Sequence, residues 1–180
     1  MKIIEKVHGY FVSMKNYPKL LKKRGMIIGD NCEIYKSANF GSEPYLITIG
    51  NHVRINGGVQ FFTHDGGAWV LRYNDGIFAD KFQCADIFGK IIVEDNVHIG
   101  TNAMIMPDVR IGKNSIVACG AVVTHDVPSN SIVGGVPARP IESLEEYVKK
   151  NKNRIVYTNQ MSAAEKKTYL TQLLLNDNQS

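Results

Sequence analysis

VEDNVH-IGTNAM-IMPDVR-IGKNSI-VACGAV-VTHDVP, residues 93–128, returns a branched aliphatic every six residues: Val93, Ile99, Ile105, Ile111, Val117 and Val123. Four places after each stands a small or β-branched residue: Val97, Ala103, Val109, Ser115, Ala121 and Val127. With about a third of all positions Val, Ile, Leu, Met or Phe, six consecutive hits at one phase arise by chance roughly once in 700 trials. The same phase appears earlier at Ile28, Ile34 and Phe40, and again at Ile49, Ile55 and Phe61. The repeat therefore organises most of the chain, and it decides the fold.

A six-residue unit has room for a brief strand and a tight corner, with no space for a long loop. The aliphatic points into a shared core and the small residue fits near the corner. Three units make an 18-residue triangular coil, so Val93 is expected to stack on Ile111, and Ile99 on Val117. The slot three places after the aliphatic holds Asn31, Gly58, Asn96, Asn102, Asp108, Asn114, Gly120 and Asp126. These residue types tolerate left-handed or turn backbone angles. An α-helical reading fails because a period of six drifts off a 3.6-residue face. A sandwich would need longer strands at wider spacing. The expected fold class is an all-β solenoid.

Two breaks interrupt the repeat: a short one at 41–48 containing Pro44, and a long one at about 62–92 carrying Gly66, Gly67, Trp69, Tyr73, Gly76, Cys84 and Gly89. Insertions in a solenoid map to loops on one face, often the binding face. The ends differ in kind. Residues 15–24 read as a short basic helix and 143–153 as a charged one. Ser162 and Glu165 form a capping box that opens a last helix to about Leu175. The expected organisation is an N-terminal helical cap (1–26), a coil (27–140) and a C-terminal helical extension (141–180).

Bulk properties set bounds on this reading. A chain of 180 residues with 44% hydrophobic content suits one core with appendages. No apolar run approaches the roughly 20 residues of a membrane span, and Met1–Tyr10 lacks a signal-like apolar stretch, so a cytoplasmic protein without integral membrane association is expected. The three cysteines, Cys32, Cys84 and Cys119, make neither a disulfide framework nor a paired zinc motif. A net charge of +4 is mild and gives no reason to expect a nucleic-acid partner.

The closing stretch IGKNSIVACGAVVTHDVPSNSIVGGVPARPI, residues 111–141, together with Thr63-His64-Asp65 on a loop, resembles the hexapeptide-repeat acetyltransferases. The likeness covers about residues 29–141 and looks closest to the maltose, galactoside and capsular-polysaccharide O-acetyltransferases. It implies a left-handed parallel β-helix, an exception to the right-handed crossover rule that periodicity alone does not reveal. It also implies a homotrimer with active sites between subunits, and acetyl-CoA as acyl donor to a saccharide, either a small sugar or a polysaccharide precursor.

His64 occupies the corner slot after Phe61, where the coil opens into the long loop. Taken alone, a surface histidine on a Gly-rich loop is more often inert; the resemblance implies that it is the catalytic base. A neutral imidazole there takes the proton of a sugar hydroxyl as it attacks the thioester, and backbone N–H groups stabilise the oxyanion. On the acceptor side the candidates are Asn39, Asp65, Trp69 and Tyr73. For Asp65, orienting His64 or binding a hydroxyl competes with a plain turn role. Sugar stacking by Trp69 and Tyr73 competes with anchoring the loop. Asn39 matches a family position, against a corner asparagine. For CoA the resemblance points to Thr101, Cys119, Thr124, His125 and Arg139, the last suited to phosphate. The chain departs from the pattern in having His125 where a Lys is common and Glu142 at a basic position.

Competing readings remain. His8, His52, His98 and His125 read as incidental, solvated or turn residues. Cys84 is the alternative nucleophile, without a visible Cys-His arrangement. A γ-type carbonic anhydrase needs three histidines converging on zinc, and no close His pair is present, so no metal is expected. The same fold also serves N-acetylation of an antibiotic, a nucleotide-sugar amine or serine. A purely structural solenoid is the non-enzymatic reading, and the irregular loop speaks against it.

Overall fold

The computed structural model describes residues 16–175. Met1–Lys15, with the expectations for His8 and the signal-free N-terminus, lie outside the described residues. The chain divides into two compact units, the first ending at Tyr147.

The first described element is helix α1 (Tyr17–Lys23), with Pro18 in its opening turn, where a missing N–H is tolerated. Its Leu21 is 1% exposed and joins the core cluster, so the helix closes the first coil. The helix is shorter than the 15–24 expected.

Thirteen short strands follow. They are β1 (Ile27–Ile28), β2 (Glu33–Ile34), β3 (Ile47–Ile49), β4 (Arg54–Ile55), β5 (Gln60–Phe61), β6 (Ile91–Val93) and β7 (His98–Ile99). Beyond them come β8 (Met104–Ile105), β9 (Arg110–Ile111), β10 (Ile116–Val117), β11 (Val122–Val123), β12 (Ser131–Gly134) and β13 (Arg139–Ser143). Sheet A is ordered β1-β3-β6-β9, sheet B β2-β4-β7-β10-β12-β13, and sheet C β5-β8-β11. The chain visits A, B and C in rotation, three strands to a turn.

The register is the one expected. Val93 pairs with Ile111, Ile99 with Val117 and Ile105 with Val123, each 18 residues on. A two-residue strand sends one side chain in and one out. Ile99, Ile105 and Ile111 are fully buried, and their neighbours Met104 and Arg110 face solvent. Each buried aliphatic contributes roughly 1.5–3 kcal/mol. Phe40 and Phe61 stack at 4.9 Å within the core.

Corner residues adopt positive φ as expected, from Asn31 (56°), Asn96 (56°) and Asn102 (58°) to Asp108 (62°) and Asn114 (57°), with Gly58 and Gly120 alongside. His52 (54°) and Asn130 (58°) occupy such corners too. Asp126 does not. The last turn is two residues short, since Ile111 bridges Val127 and Val117 pairs with Val133. Asp126 instead accepts the Arg110 N–H at 2.7 Å.

Every departure from the six-residue step falls at one corner, between sheets C and A. Ile34 pairs with Ile55, 21 residues on rather than 18, so three residues are inserted after Phe40. Ile55 pairs with Ile99, 44 residues on, so 26 are inserted after Phe61. The long excursion ends at Lys90, because β6 begins at Ile91. It carries helix α2 (Ala68–Arg72) and a 3-10 turn, Ala79–Phe82.

Where a helical extension was expected from residue 141, the chain first returns as β13, antiparallel to β12. An open sheet edge needs a partner, and β13 supplies it. Helix α3 (Leu144–Asn151) then opens with a capping box: Ser143 N–H donates to Glu146 Oε2 at 2.7 Å, and Glu146 N–H to Ser143 Oγ at 3.1 Å. In the second unit, helix α4 (Ala163–Leu175) opens with the expected Ser162–Glu165 box, at 2.8 and 3.3 Å. Among the described residues no helix is long and apolar enough to cross a membrane.

Candidate active site

His64 stands where the chain leaves β5 for the long excursion. Its backbone is clamped by the returning strand: Asp65 N–H donates to Ile87 O and Gly89 N–H to Thr63 O, both at 2.9 Å, with His64 bridging Phe88 between them. The return is possible only because residue 89 is glycine. A Cβ there would stand 2.4 Å from the Asp108 backbone nitrogen of the next coil. The Phe88 ring meets the imidazole edge-on, centroids 6.2 Å apart.

The decisive neighbour is Glu43, a residue the sequence reading passed over. Its Oε2 lies 3.1 Å from His64 Nδ1 and accepts the hydroxyl of buried Thr63 at 2.9 Å. Burial pushes the Glu43 carboxyl up, but hydrogen bonds from Ser42, His64 and Thr63 outweigh it and hold it below the usual range. An ionised carboxylate only accepts, so His64 Nδ1 carries the hydrogen and Nε2 of the neutral ring keeps its lone pair. The His64 side chain is 48% exposed and that of Glu43 15%, so a shielded carboxylate lies beneath an accessible imidazole.

Glu43 could have been found. It stands three places after Phe40, as His64 stands three after Phe61, so the two share one corner slot a coil apart. Its place inside the three-residue insertion hid it from the repeat.

Asp65 does not face His64 as an orienting acid; its Oδ1 accepts the Gly67 N–H at 2.8 Å, a local turn. Asn39 is exposed on the strip that extends sheet C, donating to Gln60 Oε1 at 3.0 Å and accepting the Gly41 N–H at 3.1 Å. Trp69 and Tyr73 are exposed on and just after α2, their rings tilted at 5.6 Å. Cys84 is exposed on the excursion.

The CoA candidates divide between two edges of the coil. Thr101 and Cys119 lie one coil apart on the B–C corner, both exposed. Thr101 Oγ1 accepts Asn56 Nδ2 at 3.4 Å. Thr124 and His125 lie on the C–A corner, the edge of His64, with Thr124 Oγ1 2.9 Å from His125 Nδ1. Arg139 begins β13 and is exposed, its Nη1 donating to its neighbour's carbonyl, Ala138 O, at 2.9 Å. Sheet C separates the two edges, so a single chain does not gather these residues. Among the described residues no group of three or more His, Cys, Asp or Glu side chains is placed to hold a metal ion.

The family model for the bacterial transferase hexapeptide (six repeats) matches residues 90–125. Protein CapG of Staphylococcus aureus is 46% identical over 152 residues, covering 83% of this chain and 84% of that protein. The chain belongs to the hexapeptide-repeat transferase family. A hexapeptide-repeat acetyltransferase from Vibrio cholerae, solved alone and with acetyl coenzyme A, is 29% identical with a TM-score of 0.56, covering 78% of this chain and 86% of that one in the structure solved alone. A maltose O-acetyltransferase from Clostridium difficile 630 shares the fold at 19% identity and a TM-score of 0.52, over 79% of this chain and 83% of that one. The protein is thus an acyltransferase of the hexapeptide class.

Proposed function

We propose that this hexapeptide-repeat acyltransferase is a cytoplasmic O-acetyltransferase that moves an acetyl group from acetyl-CoA to a saccharide hydroxyl. The observation that carries the proposal is the Glu43–His64 pair at 3.1 Å, placed where the coil opens into its long excursion. His64 Nε2 takes the proton of the acceptor hydroxyl as its oxygen attacks the acetyl carbonyl. The Glu43 carboxylate holds the ring in the productive tautomer and offsets the imidazolium charge as it forms. Collapse of the tetrahedral intermediate breaks the carbon–sulfur bond, and His64 returns the proton to the departing thiolate. No acyl-enzyme is required, which leaves Cys84 without a role. Acetyl-CoA as donor is supported by the acetyl coenzyme A complex of the Vibrio cholerae relative.

The coil is proposed to be left-handed and the enzyme a homotrimer. Support for the second point comes from the division of the candidates: two edges of one coil point different ways, while edges of neighbouring copies can face each other across one cleft. In that cleft Thr101 and Cys119 of one copy would meet His64 of the next. Thr124, His125 and Arg139 would contact the nucleotide end of CoA. Asn39, Trp69 and Tyr73 would contact the acceptor, while Asp65 would hold the turn at Gly67.

Calorimetry with acetyl-CoA and free CoA is the first test, with one saturable site per chain expected. His64→Ala should retain that binding and the assembly while losing acetyl transfer to a panel of sugars. A His64→Ala enzyme working at near wild-type rate refutes the proposal.

A further inference from the structure

Away from the Glu43–His64 pair, the outward face of sheet B carries a cleft of about 330 Å³. Its wall is a chain of side-chain hydrogen bonds along the A–B corner. His52 Nδ1 meets Asn96 Oδ1 at 2.8 Å, Asn96 Nδ2 donates to Asn114 Oδ1 at 2.9 Å, and Asn114 Nδ2 donates to Asn130 Oδ1 at 2.9 Å. An amide oxygen only accepts, so His52 Nδ1 carries the hydrogen and Nε2 is the bare nitrogen of the neutral ring. Asn96 and Asn114 each keep a second N–H and a second lone pair outside the chain of bonds.

The floor is the outward row of sheet B. Arg54 and His98 stand directly opposite one another on β4 and β7, and Ile116 follows on β10. Leu144 closes the far end. The lining holds one guanidinium and two imidazoles but no carboxylate. Beside the lining, Glu33 Oε2 is 3.4 Å from Arg54 Nε. Arg54 Nη2 donates to Tyr35 Oη at 3.2 Å, which leaves Nη1 without a bond among the described residues. Burial and the Arg54 charge push the His98 imidazole down, with Glu33 opposing, so the ring is a neutral hydrogen-bonding group.

We propose that this cleft binds a sugar bearing an oxyanion, either a carboxylate or a phosphate. The anion lies against Arg54 Nη1 and the His98 imidazole, the hydroxyls donate to His52 Nε2 and meet the free amide valences of Asn96 and Asn114, and the ring's C–H face rests on Ile116 and Leu144. A bidentate-capable guanidinium is the favoured protein partner of both anions. The volume sits at the small end for ligand sites and suits a single ring. Nothing in this assignment depends on the chemistry at His64.

Calorimetric titration of the full chain with glucuronate, glucose 6-phosphate and glucose, at matched ionic strength, tests it. At least one anion should bind at one site per chain, about tenfold or more tighter than glucose. Glucuronate alone identifies a carboxylate site, glucose 6-phosphate alone a phosphate site, and both together a general oxyanion site. Arg54→Gln should weaken the anion about tenfold. His52→Asn preserves the ladder and the positive φ while removing Nε2, and should weaken binding without lowering the melting temperature. His64→Ala should bind as wild type. Anions no tighter than glucose, affinity unchanged in both Arg54→Gln and His52→Asn, or a loss confined to His64→Ala would each overturn the assignment.

Discussion

Glu43→Gln isolates the charge that the structure places under His64. Glutamine keeps an oxygen to accept from Thr63 and from His64 Nδ1, so the tautomer and the ring position survive while the negative charge is lost. At 3.1 Å, the attraction between that carboxylate and the imidazolium that the proposed transfer would form is about 1.3 kcal/mol at the dielectric of water. It rises to about 5 kcal/mol at an effective value of 20. The His64 side chain is half exposed, which places the interaction toward the lower bound, about 2 kcal/mol after screening. That corresponds to a fall in kcat of about 30-fold. The assay follows thiol release from acetyl-CoA with a saccharide acceptor and separates kcat from the KM for acetyl-CoA. A positioning role predicts a lower kcat, an unchanged KM and an unchanged melting curve. Asp65→Asn, whose parent carboxylate bonds the Gly67 N–H, should leave kcat near wild type. A kcat within about twofold of wild type in Glu43→Gln, or a loss expressed wholly in KM, would refute the assigned role.

Three further outcomes follow from the same geometry. Asn114→Ala loses two 2.9 Å ladder bonds and keeps a β-carbon at φ 57° without the polar side chain that eases that angle, so urea denaturation should show about 2–4 kcal/mol of destabilisation, with Asn114→Gly milder because glycine accepts the angle. Gly89→Ala forces the excursion's return off the Asp108 backbone; stability should fall by about 1–3 kcal/mol and kcat should fall with it, since the same return clamps His64. His98 has its folded-state pKa below the unfolded value of 6.5, so its contribution to stability is full above that pH and is lost as pH falls through the lower folded value. Melting temperatures of wild type should therefore decline below about pH 6.5 more steeply than those of His98→Gln.

The coil was legible because its physics is local and periodic. A two-residue strand can bury only one side chain, so Ile99, Ile105 and Ile111 had to recur every six residues, and Asn102 and Asn114 had to take the left-handed corners. What escaped was whatever broke the period. Asp126 sits in the right slot by counting, but the turn around it is two residues short. Residues 139–143 looked like the approach to a helix because the demand for them, an unpaired edge on β12, is tertiary. His64 was visible as the residue at the mouth of the excursion, although only resemblance distinguished it from an inert surface histidine. Glu43 was hidden because its contact with His64 spans adjacent coils and an insertion. The ladder from His52 to Asn130 was likewise invisible, since residues 44 and 18 apart in sequence become hydrogen-bond neighbours only once the coils stack.

The confinement of all length changes to the C–A corner separates two jobs within one coil. The A–B and B–C corners keep a strict six-residue step, and they hold every strand in register even across the 26 extra residues after Phe61. The third corner is free to vary because a segment leaving and returning there closes on itself, at an entropic cost that grows only slowly with its length. The fold therefore works like a ruler with one slotted edge: a segment grafted between Ile105 and Ile111, the C–A corner that still keeps the plain step, leaves the marks on the other two edges where they were. A single residue added within one of the two-residue strands would instead turn that strand's buried side chain outward.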